Sequence, residues 1–528
     1  MSDYQQPLIG KDAIESLTIS MYEDCRFIYR EYVQNAADQV DKAVAKGLLK
    51  KGEEGIYIEI DPAERSITVE DNATGIKEEN VVPVLRNIAH STKQRGIDKG
   101  FRGIGRLGGL GYCSKLRFET SYYGESVKSV MTWDAEMLKY IINDRENQEE
   151  AVEVLERVTK TKTFQEDKER HYFRVVMEGV TSDDLLNINS VTDYLSMVAP
   201  VDINSQFIFK SKISSFMQEN SLSLDTYNIY INGTQIYKPY TTYILDDSRG
   251  GKKRVDDILD VKFKIKKDRD DNVIYWCWYT LSQLKGQMKP LNIARGIRLR
   301  KSNIQIGDEE ICKKFFTKIG DQRFSFYFFG EIHAVSNDLI PNSRRDYFGE
   351  NLACTEFERL IKQDFLDLRD LCQDASDIRS NNRTIAKERE LKSTIAKKNK
   401  YGYDSNEEKE KLQRELEEHR IKVEQARKQL EKKTKKLQDS DSPLLSVVDR
   451  LVSEQKGGSN QTPQTPSASP DVNSQEKTKF RTDKPAYSQY SKQEKKLIGK
   501  IYAVISNVIS EELFKEALIN KIEEELTR

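Results

Sequence analysis

Three polar residues, Glu31, Asn35 and Asp38, stand four and three positions apart in the segment EYVQNAAD. A helix with 3.6 residues per turn brings positions i, i+4 and i+7 to one face. A carboxylate on that face can orient a water molecule, and a carboxamide oxygen one turn away is a hard ligand suited to Mg²⁺. The pattern suits metal-assisted phosphoryl chemistry, but alone it is more often an ordinary solvated helix face.

A second candidate is the segment DNATG, from Asp71 to Gly75, which directly follows a stretch typical of a strand. A carboxylate at a strand end can accept a hydrogen bond from an exocyclic amine such as that of adenine. Gly75 would let the backbone approach the ring. The alternative is a plain strand-to-helix turn, which Asp, Asn and Gly also favour.

A third candidate is the segment GFRGIGRLGGLG over residues 100–111. Glycine carries the largest ordering cost of any residue, so this density disfavours a plain surface loop. Backbone amides without side chains around them can cradle phosphates. The candidate phosphate-binding residues are Gly103, Gly105, Arg106, Gly108, Gly109, Gly111 and the preceding Lys93, with Lys99 and Arg102 adding positive charge. The Walker pattern GxxxxGK[ST] is absent from the sequence, which argues against a P-loop protein.

Positioning these residues requires a scaffold of helices and strands. Helical spacing of apolar residues predicts a helix over 13–46 that ends at Gly47, and another over 78–89. Alternation predicts strands in both halves of the chain, and Asn232-Gly233 predicts a hairpin turn. The predicted strands are 56–60, 67–70, 116–121, 227–231, 235–237, 260–266, 273–281 and 323–335, with a helix at 357–371.

The three motifs, taken in order, resemble those of the GHKL ATPase superfamily, which includes gyrase B, the ninety-kilodalton heat-shock chaperones, histidine kinases, MutL and the MORC proteins. The resemblance implies an α/β sandwich that binds ATP and Mg²⁺ between a helix and a glycine lid. It implies that Glu31 activates water, Asn35 binds Mg²⁺ and Asp71 reads adenine, with Gly75 beside the base and the lid glycines over the phosphates.

Two features depart from the family pattern. Ala73 stands where the family often has glycine, which would narrow the pocket slightly. The strand predicted at 171–177 lacks the usual Gly-Thr pair, whose Thr would reach adenine. That contact stays open between Thr120 and Thr163.

A basic segment at 291–308 alternates like a strand and hairpin, and the segment NDLIPNSRRD follows at 337–346. Both resemble the ribosomal-S5-like domain that follows the ATPase in heat-shock-type, MutL-type and MORC-type members. The resemblance implies that this domain sends a cation to the γ-phosphate. The candidates are Arg298, Arg344 and Arg345, along with Arg295, Arg300, Lys285 and Lys289; the alternative for each is a local ion pair.

The remaining sequence is highly charged. Leu416, Val423, Leu430 and Leu437 recur every seven residues, which predicts a partial coiled coil or a single amphipathic helix docked on its own domain. The predicted layout is a GHKL domain at 1–195, a ribosomal-S5-like domain at 196–374, a charged helix at 375–440, a flexible linker at 441–490 and an amphipathic helix at 491–528.

Composition limits the function classes. A net charge of −1 from 85 basic and 86 acidic residues gives no whole-chain argument for nucleic acid. Six cysteines without CxxC spacing predict reduced thiols, and no signal peptide or long apolar run is evident, so we expect a cytoplasmic protein without a membrane span.

We therefore expect an α+β protein that hydrolyses ATP with Mg²⁺ and clamps as a homodimer. The alternative is a nucleotide-gated module that binds a client protein or DNA. A histidine kinase is less favoured, because His90 lacks a preceding dimerisation hairpin.

Overall fold

The computed structural model describes residues 9–18, 24–88, 99, 103–144, 146, 148–248, 250–440, 442–448, 491, 494, 498 and 522. The chain divides into two compact units, 1–457 and 458–528. The predicted helix at 491–528 lies almost wholly outside the described residues. The predicted linker does too, except for 442–448, where Leu444 and Val447 are buried in a hydrophobic core instead of extended in solvent.

The first sheet has eight strands in the described part of the chain, in the order β5-β4-β3-β6-β2-β1-β7-β8. Its neighbouring strands are antiparallel except for the parallel pair β1 and β7. The strands are β1 (Ile56–Asp61), β2 (Ser66–Asp71), β3 (Lys115–Ser121), β4 (Val127–Asp134), β5 (Thr159–Gln165), β6 (Tyr172–Glu178), β7 (Ile229–Ile231) and β8 (Thr234–Gln235).

The hairpin of β7 and β8 extends this sheet beyond residue 195, where the sequence analysis ends the first domain. The reason is the parallel register of Ile56, Tyr57 and Ile58 against residues 229–231. Such a pairing joins segments far apart in sequence and leaves no local signal. The Asn232-Gly233 turn itself is as predicted, with positive φ at both residues.

Helices cover the first sheet, and the longest of them carries the polar motif. They are α1 (Asp12–Thr18), α2 (Phe27–Ala45), α3 (Val81–Leu85), α4 (Ala135–Asn143), α5 (Ala151–Val158), α6 (Asp183–Leu186) and α7 (Ile188–Val198). The helix predicted over 13–46 is thus two helices. The helix predicted at 78–89 is a short 3-10 turn followed by α3, and Gly105–Gly111 is also 3-10.

The second sheet follows α8 (Lys210–Glu219) and a small two-stranded ribbon. Its order is β11-β12-β15-β13-β14, with β13 parallel to β15. The strands are β9 (Tyr243–Asp246) and β10 (Lys253–Asp257) in the ribbon, then β11 (Asp260–Lys267), β12 (Val273–Leu281), β13 (Gly296–Lys301), β14 (Ile304–Ile306) and β15 (Phe329–Ala334). The strand predicted at 323–335 starts only at Phe329, because 319–327 is 3-10 helix.

A long helical hairpin completes this unit. α9 (Leu352–Tyr401) has 50 residues and spans about 75 Å at 1.5 Å per residue. α10 (Asn406–Asp439) returns along it, with ion pairs from Lys398 to Glu408 near the tip and from Lys433 to Asp374 near the base. The heptad leucines therefore pack within the chain. The α+β class predicted from sequence is confirmed, and no described helix is both long and apolar enough to cross a membrane.

A buried charge cluster joins the second sheet to the first domain. Glu331 is fully buried and binds Arg300 Nε at 2.5 Å and Lys238 Nζ at 2.8 Å. Arg300 also donates from Nη2 to the carbonyl of Met197, at the end of α7, at 2.6 Å. Because buried charges are costly unless paired, these contacts fix the two parts against each other.

Candidate functional site

A cavity of about 620 Å³ opens between α2, the first sheet and a loop of the second domain. It is apolar on the sheet side and polar on the helix side. Its lining residues are Glu31, Tyr32, Gln34, Asn35, Gln39, Lys42, Lys46, Val69, Thr74, Gly75, Ile76, Lys77, Asn80, Pro83, Val84, Leu85, Gly103, Ile104, Gly105, Arg106, Tyr122, Phe173, Val175, Pro341, Asn342, Ser343 and Arg345. An apolar floor with convergent polar groups is typical of a small-molecule site.

Glu31 is the carboxylate among the described lining residues, and it is only 8% exposed. Its Oε1 atom is buried without a hydrogen-bond partner among the described residues. Two guanidiniums flank it beyond hydrogen-bond distance, with Arg30 Nη2 at 3.7 Å and Arg345 Nε at 4.0 Å from Oε1. A buried acceptor left open in this way has room for one more donor, such as a water molecule.

Asn35 and Asp38 share the face of α2 with Glu31, as the spacing predicts, but they lie in different surroundings. Asn35 lines the cavity. Asp38 does not; it is 4% exposed and its Oδ1 accepts a hydrogen bond from the backbone amide of Lys99 at 2.8 Å. Asp38 therefore holds the backbone of Lys99 against the helix.

Asp71 ends β2 beneath the cavity and is 2% exposed, although it is not itself part of the lining. Burial raises the pKa of its carboxyl to about 7, even though Oδ1 accepts a hydrogen bond from the Ala73 amide at 3.1 Å. Ala73 is fully buried and does not line the cavity, so its methyl group does not narrow the pocket.

Gly75 lines the cavity with φ of +65°, and its close contact is with the sheet. A Cβ atom there would lie 1.9 Å from the carbonyl oxygen of Ser121. The structure thus requires glycine at this position for packing against β3, whatever the ligand does.

Neither threonine considered for adenine lines the cavity. Thr120 is 1% exposed, accepts from the Ile76 amide at 2.8 Å and donates to the Tyr172 carbonyl at 3.1 Å. Thr163 lies on the outer strand β5 and donates to Glu78 at 3.3 Å. The residue that stands opposite Asp71 in the β2–β6 register and does line the cavity is Phe173.

The glycine segment divides into two roles. Gly103 and Gly105 line the cavity. Gly108 and Gly109 are buried against α2, where Cβ atoms would meet the Phe27 ring at 2.9 Å and the Tyr32 hydroxyl at 2.4 Å. Gly111 ends the same 3-10 helix outside the lining, and Lys93 lies outside the described residues.

Several cations line the cavity. Arg106 is one, and burial lowers its pKa to about 10. Lys46 and Lys77 lie 5.6 and 5.5 Å from the centre of the Tyr122 ring, which also lines the cavity. Sequence reasoning missed Lys42 and Lys46. Helical spacing could have identified them, since positions 42 and 46 continue the face of residues 31, 35 and 38 by one and two further turns.

Of the three second-domain arginines proposed for catalysis, only Arg345 lines the cavity. Arg345 has φ of +55° and is 8% exposed. Arg344 is exposed, and its carbonyl accepts a hydrogen bond from Arg30 Nη2 at 3.4 Å. Arg298 lies away from the cavity, where its Nη2 donates to the Ile293 carbonyl at 2.8 Å and pairs with Glu309 at 3.3 Å.

The comparisons with known proteins concern the same part of the chain. Residues 27–166 match the family model described as histidine kinase-, DNA gyrase B-, and HSP90-like ATPase. This segment contains all three motifs of the first domain.

Similar curated proteins include chaperone proteins HtpG. That of Halorhodospira halophila is 34% identical over 86 residues, covering 15% of this chain and 14% of the relative. That of Burkholderia cenocepacia is 28% identical over 143 residues, covering 24% and 23%. That of Anaplasma marginale is 32% identical over 136 residues, covering 23% and 21%. The chain thus matches less than a quarter of the length of these relatives.

Proposed function

This chain belongs to the GHKL superfamily of histidine kinase-, gyrase- and HSP90-like ATPases, and on that premise we propose that it binds Mg-ATP in the cavity beside α2 and hydrolyses it. The single observation that carries hydrolysis is the Oε1 atom of Glu31, which is buried in the cavity wall and has no hydrogen-bond partner among the described residues. In this proposal Glu31 accepts a proton from the attacking water. Arg345 offsets the charge that develops on the phosphoryl oxygens.

The described residues fit a magnesium nucleotide. Gln34 Oε1 is, like Glu31 Oε1, a buried oxygen without a hydrogen-bond partner among the described residues, and Asn35 lies beside them in the wall. Amide oxygens are hard ligands of the kind Mg²⁺ accepts, so Asn35 would hold the ion. Bound there, Mg²⁺ would neutralise phosphate charge. Lys42 and Arg106 would attract the phosphates, and Phe173 and Val175 would cover the base.

The movement that ATP drives is part of the proposal. We infer that nucleotide closes the glycine segment over the cavity, that Arg345 docks on the phosphates, and that two protomers clamp together until hydrolysis releases them. The chaperone names of the HtpG relatives support a chaperone-like role. The loop 341–345 in the cavity wall supports the coupling, because it belongs to the second domain.

The test is Glu31→Ala, with ATP hydrolysis and nucleotide binding measured separately in Mg²⁺ buffer. Hydrolysis should fall by about 100-fold or more, since general-base catalysis typically contributes 10²–10⁴. Affinity for ATP should change little, because Glu31 acts on water. Glu64→Ala is a matched control on an exposed turn. A Glu31→Ala protein that hydrolyses ATP as fast as the parent would contradict the assignment.

A second candidate function is a nucleotide-gated module that binds DNA or a client protein, with hydrolysis incidental. The observation that favours it is the α9–α10 hairpin, whose longer helix α9 spans about 75 Å. Pull-down and gel-shift experiments with and without a non-hydrolysable ATP analogue separate the two. Binding to DNA should weaken steeply with salt, because phosphate contacts release counterions.

A further inference from the structure

Arg345 lies in a loop of the second domain, far from Glu31 in sequence, so contacts with other residues must hold its guanidinium beside Glu31. One contact is visible in the cavity wall, where Arg345 Nη2 donates to the backbone carbonyl of Lys99. Lys99 immediately precedes the glycine segment in sequence. The position of that carbonyl therefore helps to set the position of the guanidinium.

Lys99 is held by an acidic socket, which we define as Asp38, Asp41 and Asp225. The Lys99 ammonium lies 2.5 Å from Asp41 Oδ2 and 3.3 Å from Asp225 Oδ2, and its side chain is only 6% exposed. Its backbone amide donates to Asp38 at 2.8 Å. Burial opposes the charge, but Asp225 and Asp41 outweigh it and raise the pKa of Lys99 above its usual value.

The socket is itself braced from two sides. The Tyr227 hydroxyl donates to Asp41 at 2.7 Å, and its ring lies 5.3 Å from the Lys99 ammonium. Asn303, in the turn between β13 and β14, donates to the Asp225 carbonyl at 2.7 Å and also binds Lys238 of the buried cluster at Glu331. Contacts thus run from Arg345 through Lys99 into the core of the second domain.

We propose that Lys99 is a positioning residue for the ATPase reaction: seated in the acidic socket, it presents its backbone carbonyl to Arg345 and so holds that guanidinium beside Glu31. The proposal rests on the function proposed above. A lone exposed ion pair would contribute little. The Lys99 side chain is nearly buried, and two carboxylates and an aromatic ring surround its ammonium while a third carboxylate accepts from its backbone amide. Together these contacts fix the position of the Lys99 backbone. Misplacing a group by about 1 Å can cost about 100-fold in rate.

The experiment compares Lys99→Met, Lys99→Arg and the control Lys50→Met, whose side chain is 88% exposed, in the full-length chain. Lys99→Met should lower kcat by about 10- to 100-fold with little change in KM for ATP, since Arg345 acts on the transition state. Lys99→Arg should keep most of kcat because it retains the charge. Lys50→Met should match the parent.

The double variant with Arg345→Met separates positioning from a general loss of structure. If Lys99 acts through Arg345, Lys99→Met should add no further loss of kcat to Arg345→Met alone. Independent, additive losses would overturn the proposal, as would a Lys99→Met protein with normal kcat.

Hydrogen exchange over residues 339–348 provides a readout that does not depend on hydrolysis. It should be faster in Lys99→Met than in the parent and unchanged in Lys50→Met. If the parent itself does not hydrolyse ATP, the proposed function fails, and this measurement alone decides whether Lys99 holds the Arg345 loop. Unchanged exchange in Lys99→Met would then overturn the positioning role.

Discussion

At the residue scale, Gly105 lies in close contact with Glu31 in the cavity wall. A Cβ atom on Gly105 would lie 2.1 Å from Glu31 Oε2, well inside the ~3.5 Å at which non-bonded atoms rest. The backbone at Gly105 has no positive φ, so the requirement for glycine here is spatial. The glycine segment therefore does more than expose backbone amides, because the missing side chain at Gly105 leaves the space that the Glu31 carboxylate occupies.

Gly105→Ala should displace Glu31 and reduce ATP hydrolysis by at least about tenfold, since catalytic geometry tolerates little displacement. Gly286→Ala is the matched control, because a Cβ atom there meets nothing within 4 Å and the residue has no positive φ. Steady-state ATPase assays on both variants check this. Equal activity of the two would mean that the carboxylate accommodates the methyl group without loss.

Asp71 carries a pH dependence whose sign follows from its burial. Its pKa is about 7 in the folded protein against the usual 3.8 of an aspartate, so the folded state binds an extra proton between these values. The stability from this group is complete below about pH 4 and is lost as the pH rises through 7. Above pH 7, folding must bury a charged carboxylate.

Asp71→Asn should therefore gain stability relative to the parent as the pH rises. The difference should grow by roughly 2–3 kcal/mol between pH 5 and 8, at ~1.4 kcal/mol per pKa unit, as measured by urea unfolding at both values. The resemblance to the GHKL family implies that Asp71 reads adenine, and on that proposal Asp71→Asn should bind ATP more weakly than the parent, because a carboxylate is the better acceptor for an adenine amine. A stability difference that does not vary with pH would contradict the burial argument.

Residue types alone reached part of this site. The spacing of Glu31, Asn35 and Asp38 predicted a shared helix face. It did not predict that Asp38 would accept a hydrogen bond from the Lys99 amide. Arg298 and Arg345 look equivalent in sequence. Arg298 is drawn inward by Glu309, whereas the left-handed backbone at Arg345 accompanies a side chain in the cavity wall. Neither fact has a local signal.

At the element scale, the helical hairpin shows what a heptad pattern can and cannot specify. The repeat of Leu416, Val423, Leu430 and Leu437 predicted an apolar seam, and Val423 and Leu437 are indeed 3% and 2% exposed. The repeat does not say which helix covers the seam. Here α9 of the same chain does, with ion pairs such as Lys387 to Glu415 in antiparallel register.

Val423→Asp should loosen α10 from α9, since it removes roughly 1.5–3 kcal/mol of apolar burial and places a charge in the seam. Ile421→Asp makes a closely related change two residues away, at a side chain that is 61% exposed, and should be silent. Hydrogen exchange over 406–439 distinguishes them. Similar protection in both variants would show that the seam is not what holds α10 in place.

At the scale of the whole molecule, local patterns located most strands and helices because alternation and helical spacing are short-range signals. They failed where distant segments meet. The first sheet takes its last two strands from residues 229–235, and the cavity takes a wall from residues 341–345. Long-range pairing of this kind depends on the packed structure as a whole, which a single sequence does not display.

The proposed clamp predicts a change of mass with nucleotide. The 61.1 kDa chain should approach twice that mass in light scattering when a saturating non-hydrolysable ATP analogue is added with Mg²⁺. Glu31→Ala should dimerise as the parent does, because it still binds nucleotide. A mass that stays constant while binding is demonstrated separately would exclude nucleotide-driven dimerisation.

The position of Arg345 late in the sequence also has a consequence for the chain during its synthesis. The glycine segment leaves the ribosome more than 200 residues before the arginine that completes the cavity wall. At about 5–20 residues per second, the interval is on the order of 10 to 50 seconds. In the first part of this interval the nascent first domain also lacks the strands β7 and β8. A ribosome-bound chain should therefore be unable to hydrolyse ATP until its second domain, which carries Arg345, has emerged.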